Sequence, residues 1–315
     1  MKEITNWLKE NKVCFVTNSI VNMPGSLFIH SFKTYCNYIP EENFIIINGI
    51  KDNKHFYGLE AFIEMLNTLR HYDFDYIIYL DEDCFIKDFD LLLSEFKKFK
   101  DGNYCLGGLQ DGGMICHRNQ SKILINTFLS FWNLKEIKKN FKNIGKYISD
   151  LLIGNIPYKS FLDELGTVGN ESLKTKIFAN AIKMINNGVE YRKENFKQEP
   201  PHATVVRNDP TNNYEPHQTP YSYKDNVYQN MEPYYLIEEA IVLATKLPIY
   251  YLFGSDLYTD QETKMDNSGI TTVLMNDKNE PYAYHTWFAR YYKPFMNTPN
   301  EVRHTARINT IIENL

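Results

Sequence analysis

Three short apolar segments, separated by amphipathic stretches, dominate the first third of the chain. Residues 13–17, 44–47 and 76–80 run through almost without a charged side chain and show no polar face. A strand with no polar face is covered on both sides, which implies a mostly parallel sheet between layers of helix. The stretches between them read as those helices. Residues 26–35 follow Pro24-Gly25, residues 56–69 carry Leu59, Phe62, Ile63, Leu66 and Leu69 at helical spacing, and 91–99 form a third. Strand and helix in alternation give an α/β fold. Ligands in such sheets sit beyond the carboxyl ends of the strands.

Further on the pattern changes. Residues 104–108 and 113–117 read as strands, and 122–132, 135–152 and 171–185 as helices. The polar segment 186–229, rich in Pro, Asn, His and Tyr, is too long for an ordinary connection. Then come a helix over 233–245, strands at 249–253 and 271–275, an aromatic strand-like segment at 281–292, and a helix over 299–312. No repeat or low-complexity linker divides the chain, so a single domain over 1–315 with an elaborated C-terminal half is expected.

Bulk properties narrow the function. The net charge of -5 and the lack of a basic stripe disfavour a dedicated duplex-binding protein. Lys97, Lys98 and Lys100, like Lys138, Lys139 and Lys142, suit solvated helix faces. The five cysteines (Cys14, Cys36, Cys84, Cys105 and Cys116) include no C-x-x-C pair and read as reduced core residues. The N-terminus lacks an apolar signal region, and no apolar run is long enough to span a membrane. A cytoplasmic protein without a membrane span is expected. The 15% aromatic content suits either a sugar or base pocket or a plain core.

The chemistry gathers where the third strand ends. After Tyr76–Leu80 come Asp81, Glu82 and Asp83. On an extended chain residues i and i+2 point the same way, so Asp81 and Asp83 share a side. Two carboxylates that close repel unless a cation joins them. Hard ions such as Mg²⁺ or Mn²⁺ accept oxygen ligands and keep positions for phosphate. A solvated acidic loop is the competing reading.

An apolar strand ending in Leu-Asp-x-Asp in the first third of the chain resembles the GT-A glycosyltransferases. The resemblance implies a GT-A-like, Rossmann-related fold with a mostly parallel central sheet flanked by helices. It implies a nucleotide-sugar-binding half over 1–118 and an acceptor-side elaboration over 119–315. Asp83 would hold a Mn²⁺ or Mg²⁺ ion bridging the two phosphates of the donor, and Asp81 would touch the ribose or the metal. Thr17, Asn18 and Ser19 at the end of the first strand would meet the nucleoside, although they also suit a turn and helix cap. The segment from Gly107 to Met114 is similar to the Gly-Gly segment of that fold. Gly112 and Gly113 would pass close to the donor, with Asp111 beside the reacting sugar. An Asp-Gly hairpin turn fits the same residues.

A late histidine is the third metal ligand in many such enzymes, and His285 fits in order. Arg290 and Lys293 are the phosphate contacts implied, although Lys293-Pro294-Phe295 departs from the related family's Lys-Pro-Trp pattern and spacing. Glu171, after Val168-Gly169-Asn170, fits a general base at a helix start, with Asp111 the second candidate. A helix N-terminus alone also favours Glu there. Tyr214, Tyr221, Tyr223 and Tyr228 offer stacking faces on the acceptor side.

The expected activity is transfer of a sugar from a nucleotide diphosphate sugar, UDP-sugar foremost, to an acceptor hydroxyl. The acceptor is open: a glycan, a protein, a small molecule or a modified nucleic acid base such as occurs in viral DNA. Two other classes compete. A haloacid-dehalogenase-like Mg-dependent phosphatase also places D-x-D after a strand, but Cys84 and Phe85 follow here and no later acidic pair appears. A non-catalytic metal- or sugar-binding module would not need both a nucleotide-site strand and a late histidine.

Overall fold

The computed structural model describes residues 2–19, 27–48, 50–51, 54–55, 59–111, 123–152, 170–196, 234–258, 270–286, 299–313 and 315. Helix α1 (Lys2–Glu10) leads into β1 (Val13–Ser19), and α2 (Phe28–Lys33) into β2 (Phe44–Asn48). A small hairpin, β3 (Ile50–Lys51) with β4 (Lys54–His55), precedes α3 (Leu59–Leu69). Next come β5 (Tyr76–Leu80), β6 (Cys84–Ile86), α4 (Phe89–Asp101), β7 (Leu106–Gln110) and β8 (Ile125–Trp132). The later part holds α5 (Leu134–Leu152), α6 (Glu171–Phe196), α7 (Tyr235–Thr245), β9 (Ile249–Tyr251), β10 (Phe253–Tyr258), β11 (Ile270–Met275), β12 (Pro281–His285) and α8 (Pro299–Glu313).

The main sheet has six strands in the order β2-β1-β5-β8-β7-β9. Five run parallel to one another, and β8 lies antiparallel between β5 and β7. The apolar strands face two cores. Cys14 and Val16 of β1, with Ile77 and Tyr79 of β5, pack with Phe62, Leu66, Ile137 and Ile237 on one side. Val13 and Phe15, with Ile78 and Leu80, pack with Leu8, Phe96, Phe99 and Phe131 on the other. This two-sided burial is why the strands carry no polar face. The α/β expectation is met at that level.

A second, four-stranded sheet, β10-β11-β12-β6, is antiparallel throughout. Its Leu274, Tyr282 and Ala283 help close the second core. Chain passes from the large sheet to the small one at Leu252, whose N–H donates to the Gly108 carbonyl at 2.9 Å. The single strand expected at 249–253 is therefore two strands in two sheets.

One other expectation fails, and one element runs further than expected. Residues 122–132 were expected to be helical, yet Ile125–Trp132 is a strand buried along its whole length. A short, wholly buried run carries no period that separates helix from strand. The helix expected at 171–185 continues to Phe196, taking in the first part of the segment expected to be an extended connection. Residues 197–229 lie outside the described residues, as do 113–117.

Candidate metal centre

β5 brings the chain to the edge of the large sheet where the five parallel strands end. Asp81 follows, and the backbone turns at once, with the Cys84 N–H donating to the Asp81 carbonyl at 3.1 Å. This tight turn, not extended alternation, brings Asp81 and Asp83 together. The expected juxtaposition stands, but its geometrical reason is corrected. The turn is held on both sides. Asp81 N–H donates to the Phe128 carbonyl in β8 at 2.8 Å, and Thr286 N–H donates to the Asp83 carbonyl at 3.2 Å.

His285 arrives from about two hundred residues downstream. Antiparallel pairing of β6 with β12 sets His285 opposite Cys84. Its Nε2 lies 3.1 Å from Asp83 Oδ1. The Phe128 ring stacks on the imidazole at 4.3 Å with an interplanar angle of 1°, which fixes the plane of the ring. One ligand atom from each of Asp81, Asp83 and His285 lies within 4.8 Å of the others.

The electrostatics of this trio favour a cation. Asp83 and His285 are buried, whereas Asp81 keeps partial access to solvent. Burial, then the neighbouring Asp83 charge, pushes the Asp81 carboxyl up to about 6, against the pull of His285 and a hydrogen bond with Tyr79. Two ligands of one ion at about 2.1 Å each lie about 3 Å apart in cis and about 4.2 Å apart in trans. The observed span therefore needs only a small contraction to close on a single ion. One imidazole nitrogen and two carboxylate groups form a donor set that a divalent cation could use.

Thr17, Asn18 and Ser19 end β1, the neighbour of β5. Pairing of Val16 with Tyr79 puts Thr17 level with Leu80, next to the acidic turn. Thr17 Oγ1 and Asn18 Oδ1 are buried and have no hydrogen-bond partner among the described residues. Buried polar atoms without partners are uncommon in folded proteins, and here they suit ligand contacts.

Asp111 is placed differently from the expectation. It follows β7 and is fully buried. Its Oδ1 accepts from Asn126 Nδ2 at 3.1 Å, and its Oδ2 from the Tyr234 hydroxyl at 3.0 Å and the Tyr235 hydroxyl. With three donors on it and no exposed surface, Asp111 ties the start of α7 to β7 and β8. Glu171 opens α6 with its side chain 69% exposed and Lys174 Nζ 3.7 Å away, as a helix terminus would. Gly112, Gly113, Arg290, Lys293 and the four tyrosines at 214, 221, 223 and 228 lie outside the described residues. Gly107 and Gly108 do lie in β7, where an added Cβ would crowd neighbouring side chains. A Cβ on Gly108 would come within 2.8 Å of Ile125 Cδ1.

Sequence reasoning missed the groups that support these residues. Phe128 is unreadable as the platform under His285, because nothing local links the two. Glu238 had a signal: it and Glu239 interrupt the apolar run of α7. Both are buried, and Glu238 Oε2 accepts from Ile125 N–H at 3.1 Å. Burial, with the Asp111 charge adding to it, pushes the Glu238 carboxyl well above its usual range.

No family model and no curated protein matches the chain. The solved structure of A197 from STIV aligns with 41% of this chain and 68% of its own length, at 14% identity and a TM-score of 0.28. A likeness that slight decides neither fold family nor function.

Proposed function

We propose that this chain is a metal-dependent glycosyltransferase that moves a sugar from a nucleotide diphosphate sugar, UDP-sugar foremost, to an acceptor hydroxyl. The observation that carries the reading is the convergence of Asp81, Asp83 and His285 at the carboxyl end of β5. Beside them, at the end of β1, stand the unpartnered Thr17 and Asn18 side-chain oxygens. Metal ligands next to unsatisfied polar groups at strand ends are what a nucleoside diphosphate needs: charge neutralisation for the phosphates and hydrogen bonds for the nucleoside.

A divalent ion held there supplies neutralisation of the leaving diphosphate. Asp83 and His285 hold it, and Asp81 completes the set or meets the ribose. Glu171 is the better proposed base of the two candidates, since its carboxylate is exposed while that of Asp111 is engaged by three donors. The acceptor is a glycan, a protein, a small molecule or a modified base. Differential scanning fluorimetry with UDP and Mn²⁺, separately and together, tests the donor half. The combination should stabilise the protein by more than the sum of the two alone. A flat response to every nucleoside diphosphate with Mn²⁺ would overturn the proposal.

A further inference from the structure

Strand β8 keeps different registers with its two neighbours. Against β5 it runs without a break, with Leu80 opposite Leu129 and the Asp81 N–H on the Phe128 carbonyl at 2.8 Å. Against β7 the register jumps. Gly108 pairs with Ser130 and Leu109 with Asn126, so Thr127, Phe128 and Leu129 are three residues extra on the β8 side. A bulge of this kind breaks the regular alternation of side chains and re-aims the residues it carries. Here it carries Phe128, whose ring lies flat on the His285 imidazole and whose carbonyl holds the first residue of the acidic turn.

The backbone of such a bulge needs partners that a ladder would otherwise supply. At one end Ser130 Oγ donates to the Thr127 carbonyl at 3.3 Å, and Trp132 Nε1 donates to Ser130 Oγ at 2.8 Å. At the other end Asn126, only 5% exposed, accepts the Phe128 N–H on its Oδ1 at 3.1 Å. Nδ2 of the same amide donates to Asp111 Oδ1 at 3.1 Å and to the Tyr234 hydroxyl at 3.2 Å. A backbone N–H only donates, and a carboxylate accepts. An amide with its oxygen toward Phe128 and its nitrogen toward Asp111 satisfies both at once. Asp111 is anchored in turn by the Tyr234 and Tyr235 hydroxyls at the start of α7.

We infer that Asn126 is a positioning residue of the metal centre. Anchored on Asp111 and Tyr234, it sets the bulge that seats Phe128 against His285 and beside Asp81. It acts through Phe128 and not by coordination. The inference rests on the metal-centre part of the proposed function and on nothing about the donor sugar or the acceptor.

Isothermal titration of the full chain with Mn²⁺ alone tests it, beside urea titrations that report folding separately. Asn126→Asp keeps the shape of the side chain and an oxygen for the Phe128 N–H, but sets a second carboxylate against Asp111. It should bind Mn²⁺ about tenfold more weakly than the wild type, the usual loss when a group that orients a metal ligand is disturbed. The double variant Asn126→Asp, Asp111→Asn exchanges donor and acceptor across the same contact and should regain wild-type affinity. Tyr234→Phe removes one hydroxyl from the anchor and should weaken binding about threefold. The metal-free proteins carry a second signature. The His285 ring protons, shielded by the Phe128 face in the wild type, should shift downfield in Asn126→Asp and return in the double variant. Lost stability in Asn126→Asp with unchanged Mn²⁺ affinity and an unmoved His285 signal would make Asn126 structural alone and overturn the inference. So would a double variant that folds without regaining affinity or, should Asn126→Asp fail to fold, unaltered affinity in Tyr234→Phe. A wild type that takes up no Mn²⁺ would instead overturn the metal centre itself, and the inference with it.

Discussion

Asp83 and Glu238 show how far a single buried carboxylate depends on its company. Asp83 has His285 at 3.1 Å and Asp81 within the same cluster, so a cation bound there would relieve the repulsion between the two carboxylates. Asp83→Ala should weaken Mn²⁺ binding by at least about 100-fold, more than the loss of a supporting hydrogen bond would cost. Isothermal titration with Mn²⁺ alone measures this, with no substrate needed. Glu238 makes one hydrogen bond to backbone in a fully buried place. Its folded-state pKa is raised above 4.5, so the folded protein binds the extra proton in the window above that value. Stability from this group therefore falls as pH rises from about 4.5 to the folded pKa. Glu238→Gln keeps an oxygen for the Ile125 N–H and abolishes the titration. Its melting temperature should exceed that of the wild type by a margin that grows with pH across that window. A constant margin from pH 5 to 9 would refute the assignment. At this scale the sequence was informative where a residue announced itself by being misplaced, as Asp81 and Asp83 do after an apolar strand. It was misleading for Asp111, whose tyrosine partners lie more than 120 residues away.

Among elements, the glycines separate two roles that look alike in a sequence. Gly145 sits in the interior of α5 and is exposed, and a Cβ added there meets nothing within 4 Å. Gly145→Ala should stabilise the protein by about 0.5–1 kcal/mol, because alanine lowers the entropy of the unfolded chain and suits a helix. Gly108 in β7 has no such space, with Ile125 Cδ1 at 2.8 Å and the Asn126 carbonyl at 3.2 Å from the added carbon. Gly108→Ala should cost about 1–3 kcal/mol by forcing β7 and β8 apart. Urea titrations of both variants check the opposite signs. The Gly107-Gly108 pair lies in the same glycine-rich segment as the expected donor contacts Gly112 and Gly113, and in β7 it packs against neighbouring side chains. Strand β8 illustrates the same limit. Its burial on both faces removed the period that would have shown it to be a strand, and its antiparallel course depends on partners distant in sequence.

Across the whole molecule, the candidate metal centre is also the seam between two sheets. β5 belongs to the large sheet, β6 and β12 to the small one, and the acidic turn joins them. An ion held by Asp81, Asp83 and His285 would tie the two sheets together. Ligand binding confined to the folded state raises stability by about 2.7 kcal/mol at 100 times Kd. The melting temperature of the wild type should thus climb with the logarithm of Mn²⁺ concentration, while that of His285→Ala should stay nearly level. Equal response in both would place the ion elsewhere. The sequence by itself determined the α/β character and the three apolar strands. It also determined that two carboxylates stand where the third strand ends, because these follow from local patterns of burial over a few residues. Only the tertiary structure decided that a tight turn joins those carboxylates and that Phe128 backs the imidazole. It likewise decided that Asp111 is buried beneath two tyrosines and that a cleft opens beside β9. Each of these rests on contacts between segments far apart in the chain, and the pairing of distant strands is settled by the packing of the whole.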